Sequence, residues 1–402
     1  MNTLYPMKIY LILPIAIFGF CFLPHAGQAQ HAIDEVLQAI EQNNPALQAR
    51  RQYAEAQSLD YRTNIYLPNP TVAFEYLPGT PAEAGTQKDL TIAQNFEFPT
   101  AYFRKKQVAE AQIHQLPYAL DSFRQEILLE AKQLCLNLIY QHKKQALLSQ
   151  RLGNIERLVQ AYERRLTEGN ANVLEVNKAK LLRLNLKNDL TLTESQIAQQ
   201  TEQLTTLNGG ETIILSDITY PVIASIPELE VLEPQAEAQD PVLQYVEQQQ
   251  QISDRQLSLS RSIVLPSWQV GYRYQAILGQ QYNGFLAGIS IPLWEDKNKV
   301  KLAQAHIDWS KQVIKREKIE HLYSIRRLYE KQATLENTLA EFGELLEGLN
   351  NTAFLEKALR LGEISSIEFF MEVTYFYEAE DQYLSLEEDY HQTVAELLKY
   401  QL

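Results

Sequence analysis

The spacing of apolar positions along the chain switches between two periods. Leu148, Leu152, Ile155, Val159, Tyr162 and Leu166 follow one another at intervals of 4, 3, 4, 3 and 4. Leu335, Leu339, Phe342, Leu346, Leu349 and Ala353 do the same. Each series is the seam of a long helix packed along another. Ahead of each seam the period drops to two. Val72, Phe74 and Tyr76 alternate with polar neighbours, and Leu90, Ile92, Phe96 and Phe98 stand opposite Asp89, Thr91, Asn95 and Glu97. Trp268, Val270, Tyr272 and Tyr274 alternate with Gln269, Gly271, Arg273 and Gln275, and Phe285, Ala287, Ile289 and Ile291 supply a partner. These runs predict two β-hairpins, the first with one apolar and one polar face and the second with mixed faces. Helices are predicted over Ala32–Asn43, Pro45–Tyr66, Ala101–Glu168 (with a kink at Pro117), Asn172–Leu207 and Ser365–Tyr400. The longest would measure about 100 Å at 1.5 Å per residue.

The pattern occurs twice. Arg165-Leu166-Thr167-Glu168-Gly169-Asn170-Ala171-Asn172-Val173-Leu174-Glu175 reads as a hinge between two helices. Its glycine supplies a left-handed C-cap, and Asn170 and Asn172 can cap the returning helix. Leu359-Arg360-Leu361-Gly362-Glu363-Ile364-Ser365-Ser366-Ile367-Glu368 repeats it, with Gly362 lying 193 residues after Gly169. Pro99 and Gly169 are 70 residues apart, as are Pro292 and Gly362. Asp240-Pro241-Val242-Leu243 echoes Asn44-Pro45-Ala46-Leu47, and Val264-Leu265-Pro266 echoes Tyr66-Leu67-Pro68. The chain divides into a first structural repeat at 30–208, an irregular connector at 209–240 holding Pro221, Pro227 and Pro234, and a second repeat at 241–402.

Residues 1–29 read as a signal peptide. Lys8 opens it, an apolar run spans Ile9–Leu23, and Gly27-Gln28-Ala29 offers small residues for cleavage before Gln30. Phe20 stands where lipid attachment at Cys21 would need a small residue. Beyond this segment no apolar run is long enough for a transmembrane helix, so entry into a membrane would have to be as a β-barrel. A net charge of −14 argues against a nucleic-acid partner. Cys135, left alone once Cys21 departs, can form no disulfide framework. The seven histidines include no i, i+4 pair and have no companion cysteine, and Met is scarce, so neither a metal site nor a cofactor is expected. No phosphate-binding loop or nucleophile motif is present, and an enzyme is not indicated.

Four strands cannot close a barrel, and an open sheet with an apolar face leaves unpaired edges. Oligomerisation, with strands from several copies closing one barrel, is the physical resolution. The signal segment, the Asn-Pro-containing first helix, the two helix–hairpin–helix halves and the two Gly-centred hinges resemble the TolC-like outer-membrane factor family. The stretches Leu67-Pro68-Asn69-Pro70-Thr71-Val72-Ala73-Phe74-Glu75 and Gln94-Asn95-Phe96-Glu97-Phe98-Pro99 are similar to its heavy-metal-efflux branch, the CzcC- and CusC-like proteins. Pro99-Thr100-Ala101-Tyr102 replaces the Gly-Gly-Lys-Arg run frequent there. The resemblance implies a mainly α protein with two β-hairpins. It further implies a homotrimer with a twelve-stranded transmembrane β-barrel and a periplasmic α-helical barrel, partnered by a periplasmic adaptor (membrane fusion protein), an inner-membrane RND-type or ABC pump and outer-membrane lipid. The expected function is an exit duct for metal cations or drugs. A pore-less periplasmic coiled-coil scaffold and a type I protein-secretion duct are the alternatives.

The resemblance also implies site residues. Glu175 and Glu368, each six residues past its hinge glycine, with Glu372 one turn on, would ring the periplasmic aperture. Acids at helix N-termini also serve the helix itself, by about 0.3–1 kcal/mol. Leu166, Thr167, Glu168, Gly169 and Leu361, Gly362, Glu363 are candidate adaptor contacts as well as caps. Phe74, Tyr76, Trp268, Tyr272 and Tyr274 would face lipid, the alternative being a sheet face covered by helices.

Overall fold

The computed structural model of the chain describes residues 26–63, 65–169, 172–223, 225–348 and 351–402. Most of the expected targeting segment, the cap candidate Asn170 and the seam position Leu349 lie outside these residues. The order is α1 (Ala26–Asn43), α2 (Pro45–Thr63), β1 (Thr71–Pro78), β2 (Thr86–Phe96), α3 (Pro99–Thr167) and α4 (Val173–Leu207). There follow α5 (Leu229–Gln239), α6 (Pro241–Ile263), β3 (Ser267–Ile277), β4 (Gln280–Ser290), α7 (Lys299–Gly348), α8 (Asn351–Leu361) and α9 (Ser366–Leu397). Helix α3 runs through Pro117 unbroken for 69 residues, so it spans about 100 Å.

The echo between the halves has a structural cause. Asn44 Oδ1 accepts from the Leu47 amide at 3.0 Å, and Asp240 Oδ1 accepts from the Val242 amide at 2.7 Å. In both places a polar side chain before a proline caps the helix that follows. The connector departs from the sequence reading. It is not irregular throughout, because α5 forms within it and contains Pro234. Leu232 and Ala236 are fully buried against Ile325 and Leu328 of α7, and this burial outweighs the backbone hydrogen bond that Pro234 removes.

Apolar seams hold the long helices together. Leu148, Ile155, Val159 and Tyr162 of α3 are buried against Val176, Ala179 and Leu186 of α4 and against Phe369, Phe370 and Val373 of α9. Farther from the hinges, Ile33, Val36 and Ile40 of α1 meet Leu128, Ala131, Cys135 and Ile139 of α3. The strands form one antiparallel sheet in the order β1-β2-β3-β4. Leu278 (φ 50°) and Gly279 (φ 81°) make the two-residue turn between β3 and β4, where both positions need a left-handed backbone.

Candidate functional site

Two regions carry features that core packing does not explain: the helix tips and the sheet. At the first tip, Gly169 ends α3 with φ 75°, and Asn172 opens α4 in extended geometry. Asn172 Oδ1 accepts from the Leu174 amide, while Glu175 Oε2 accepts from the Asn172 amide, both at 3.0 Å. At the second tip Gly362 has φ 77°. Ser365 Oγ accepts from the Glu368 amide at 3.2 Å, and Glu368 Oε2 accepts from the Ser365 amide at 2.7 Å. Each expected aperture acid therefore closes a reciprocal capping box. Backbone donation from Asn172, then the Ser366 hydroxyl, holds the Glu175 carboxyl below its usual range. The Ser365 amide and hydroxyl do the same for Glu368. Glu372 is exposed on the next turn of α9.

The two tips touch. Ser366 Oγ donates to Glu175 Oε1 at 2.7 Å, joining the return helices of both hinges through a residue the sequence pattern did not single out. Leu361 and Gly362 line a groove of about 590 Å³ with Leu158, Tyr162 and Arg165 of α3. Leu361 remains 60 % exposed, and Leu166, Glu168 and Glu363 are exposed as well. Thr167 Oγ1 donates to the Arg164 carbonyl at 2.6 Å. Deeper along α3, Arg151 is nearly fully buried. Its guanidinium donates to Asp381 Oδ1 at 2.8 Å, Glu380 Oε2 at 2.9 Å and the Tyr377 carbonyl at 3.0 Å, and lies 4.2 Å from the Tyr377 ring centre. Nothing in the spacing of Arg151 distinguishes it from a solvated arginine; only the acids two hundred residues later give it a role.

In the sheet, the strand register sorts side chains onto two faces. Phe74 pairs with Leu90, Leu90 with Tyr274, Ile92 with Tyr272, Phe96 with Trp268, and Tyr272 with Phe285. Phe74, Tyr76, Trp268, Tyr272 and Tyr274 thus share one face with Val72, Val270 and Ile289. Among the described residues no helix packs on it: Phe74 is 66 % and Phe285 96 % exposed. The other face is mostly Gln, Asn, Ser, Thr, Gly and Ala with a few charges, and Leu77, Ile277, Tyr282 and Leu286 are its larger apolar members. Among the described residues no helix is long and apolar enough to cross a membrane, and no cluster of three metal-ligating side chains occurs.

No family model matches the sequence, and no curated protein matches it either. Solved structures do. The CusC structure, described in terms of folding and transmembrane channel formation, superposes with a TM-score of 0.77 at 15% identity, covering 92% of both chains. A membrane protein from Pseudomonas aeruginosa gives a TM-score of 0.80 at 13% identity, over 92% of this chain and 90% of that one. The Campylobacter jejuni CmeC outer membrane channel gives 0.73 at 11% identity, over 99% and 93%. The fold is TolC-like. Within the TolC-like fold the hinge tips and the sheet lie at opposite ends of the long α3, and those are the two ends that the residues above single out.

Proposed function

We propose that the chain is the outer-membrane exit duct of a tripartite efflux system, a passive channel rather than an enzyme. The observation that carries this reading is the uncovered aromatic face of a four-stranded sheet set at one end of long helices, the longest about 100 Å. A face of that kind needs lipid on it, and a four-stranded sheet needs further strands beside it. Three copies would supply twelve strands in the outer membrane, with Phe74, Tyr76, Trp268, Tyr272 and Tyr274 outward and the long helices forming a periplasmic tunnel. Residues 30–208 and 241–402 act as two repeats joined by 209–240. Glu175, Glu368 and Glu372, present three times each, would line the periplasmic aperture and favour cations there. Leu166, Thr167, Glu168, Gly169, Leu361, Gly362 and Glu363 would meet the periplasmic adaptor, which couples the duct to an inner-membrane pump of RND or ABC type.

Fractionation tests the duct. The expected result is a detergent-extracted, cross-linkable trimer in the outer-membrane fraction; a soluble monomer would sink the reading. Growth of a deletion strain on zinc, cobalt, cadmium, copper and silver salts, beside dyes, bile salts and antibiotics, then separates metal cargo from drug cargo. The resemblance of residues 67–75 and 94–99 to the heavy-metal-efflux branch supports metals, and sensitivity to organic compounds alone would remove that preference.

A further inference from the structure

The polar face of the sheet carries a charge arrangement that neither the fold nor the hinge acids require. Across all four strands that face holds only three charged residues, Glu75, Asp89 and Arg273. All three fall in one band near the strand ends remote from the helices. Glu75 stands directly opposite Asp89, and Asp89 directly opposite Gln275, with Arg273 two residues along the same strand. Arg273 Nη2 donates to Asp89 Oδ2 at 2.9 Å, and Gln87 Nε2 donates to the same oxygen at 3.0 Å. Asp89 is only 3 % exposed, and its Oδ1 is buried without a hydrogen-bond partner among the described residues. Glu75 is exposed and makes no ion pair among the described residues. Like charges opposed across a strand pair are destabilising, so folding alone would not select Glu75 facing Asp89.

We propose that this band is a second charge filter of the duct, at the end of the sheet remote from the helices, that favours cationic cargo independently of the hinge acids. It rests on the duct reading, because the polar face becomes a lumen only when several copies close the sheet. Arg273 neutralises Asp89 and leaves Glu75 uncompensated, so each chain contributes one negative charge and a trimer three. A passing cation is attracted to the ring, and an anion is repelled.

Purified trimer in planar bilayers under a KCl gradient reads the K⁺/Cl⁻ permeability ratio. The band charge per chain is −1 in the native protein, −2 in Arg273→Gln, 0 in Glu75→Gln or Asp89→Asn, and +1 in the Glu75→Gln/Asp89→Asn double variant. The permeability ratio should fall in that order of charge from −2 to +1. Three charges about 10 Å from the axis and screened over about one Debye length change each ion's local concentration about twofold, in opposite directions for K⁺ and Cl⁻, and so predict about a fourfold change in the ratio per step. Glu75 and Arg273 are exposed, so their variants remain informative if Asp89→Asn fails to assemble. A conducting native channel whose ratio is unmoved by Arg273→Gln and Glu75→Gln, yet shifted by Glu368→Gln, overturns the filter and leaves the duct standing. A native trimer that conducts nothing overturns both.

Discussion

Replacing Arg151 with Met keeps a long, flexible side chain at the α3–α9 contact and removes its charge. Arg151 is 3 % exposed and makes three charge-assisted or backbone hydrogen bonds to α9. Removing one partner of a fully buried ion pair costs about 3–5 kcal/mol, because the other charge is left without water or a counter-charge. Here the two acids keep some solvent, Glu380 at 25% and Asp381 at 46% side-chain exposure, so part of that cost is recovered by hydration. The guanidinium over Tyr377 and the donation to its carbonyl each add about 1 kcal/mol. The Arg151 Nε group is buried without an acceptor, which offsets one of those gains. The expected loss is about 2–4 kcal/mol, read as the shift of the urea transition followed by far-ultraviolet circular dichroism. Because the contact ties α9 and the second hinge to α3, a functional readout should move as well. Cells carrying Arg151→Met should admit large antibiotics that the outer membrane normally excludes. Adding Glu380→Gln and Asp381→Asn removes the stranded charges and should restore most of the lost stability. A single variant within about 1 kcal/mol of the native protein, or a triple variant no better than the single one, would refute the clamp.

Gly362→Ala should cost about 1–2 kcal/mol at the second hinge, and Gly362→Asn less; no atom lies within 4 Å of an added Cβ, so thermal midpoints would report backbone conformation alone. His391 is stacked on Tyr220 with ring centres 4.1 Å apart, and burial, then the nearby Lys143 charge, push its pKa down to about 4. The folded protein holds it neutral, so its contribution is intact above pH 6.5 and declines as pH falls towards 4, by about 3 kcal/mol. His391→Phe should flatten the stability profile across that window. Burial of Glu388 raises its pKa and acts oppositely, costing stability as pH rises from its ordinary value through its folded one, so the two groups are separable by the sign of their slopes. Phe285→Arg should block outer-membrane assembly at a cost of about 2–4 kcal/mol if that face meets lipid, whereas Gln275→Arg on the polar face should assemble; equal yields of the two variants would contradict the assignment of faces.

The helices and strands were legible because their apolar periods are long and clean. The seam from Leu148 to Tyr162 is buried as its spacing requires, and the aromatic strand positions share one face because alternation at period two leaves no other choice. The hinges were legible because glycine with a positive φ, followed by Asn or Ser and then Glu, is a local device whose signal lies within a few residues. What spacing could not show depends on distant pairing. Arg151 with Asp381, and Glu175 with Ser366, are separated by 230 and 191 residues. Helix α5 was hidden for the opposite reason: Pro234 is a strong local breaker, and only burial of Leu232 against α7 overrides it.

The strand directions bear on how copies would join. Successive strands are antiparallel, so β1 and β4, at the two edges of a four-stranded sheet, run in opposite senses. The β4 edge of one copy can therefore pair antiparallel with the β1 edge of the next, and the pattern repeats without a parallel mismatch for any number of copies. An odd number of strands per chain would not allow this. The helices make a matching demand. Leu302, Trp309 and Tyr323 of α7 are exposed at heptad spacing, the pattern of a seam whose partner is another helix. Left single, the chain would expose an eight-residue edge on β1, an eleven-residue edge on β4 and that apolar stripe, each an invitation to uncontrolled association. Closure of a ring satisfies the sheet edges and the helix seam in the same step. Barrel and tunnel should therefore assemble together, and a variant that blocks one should lose the other.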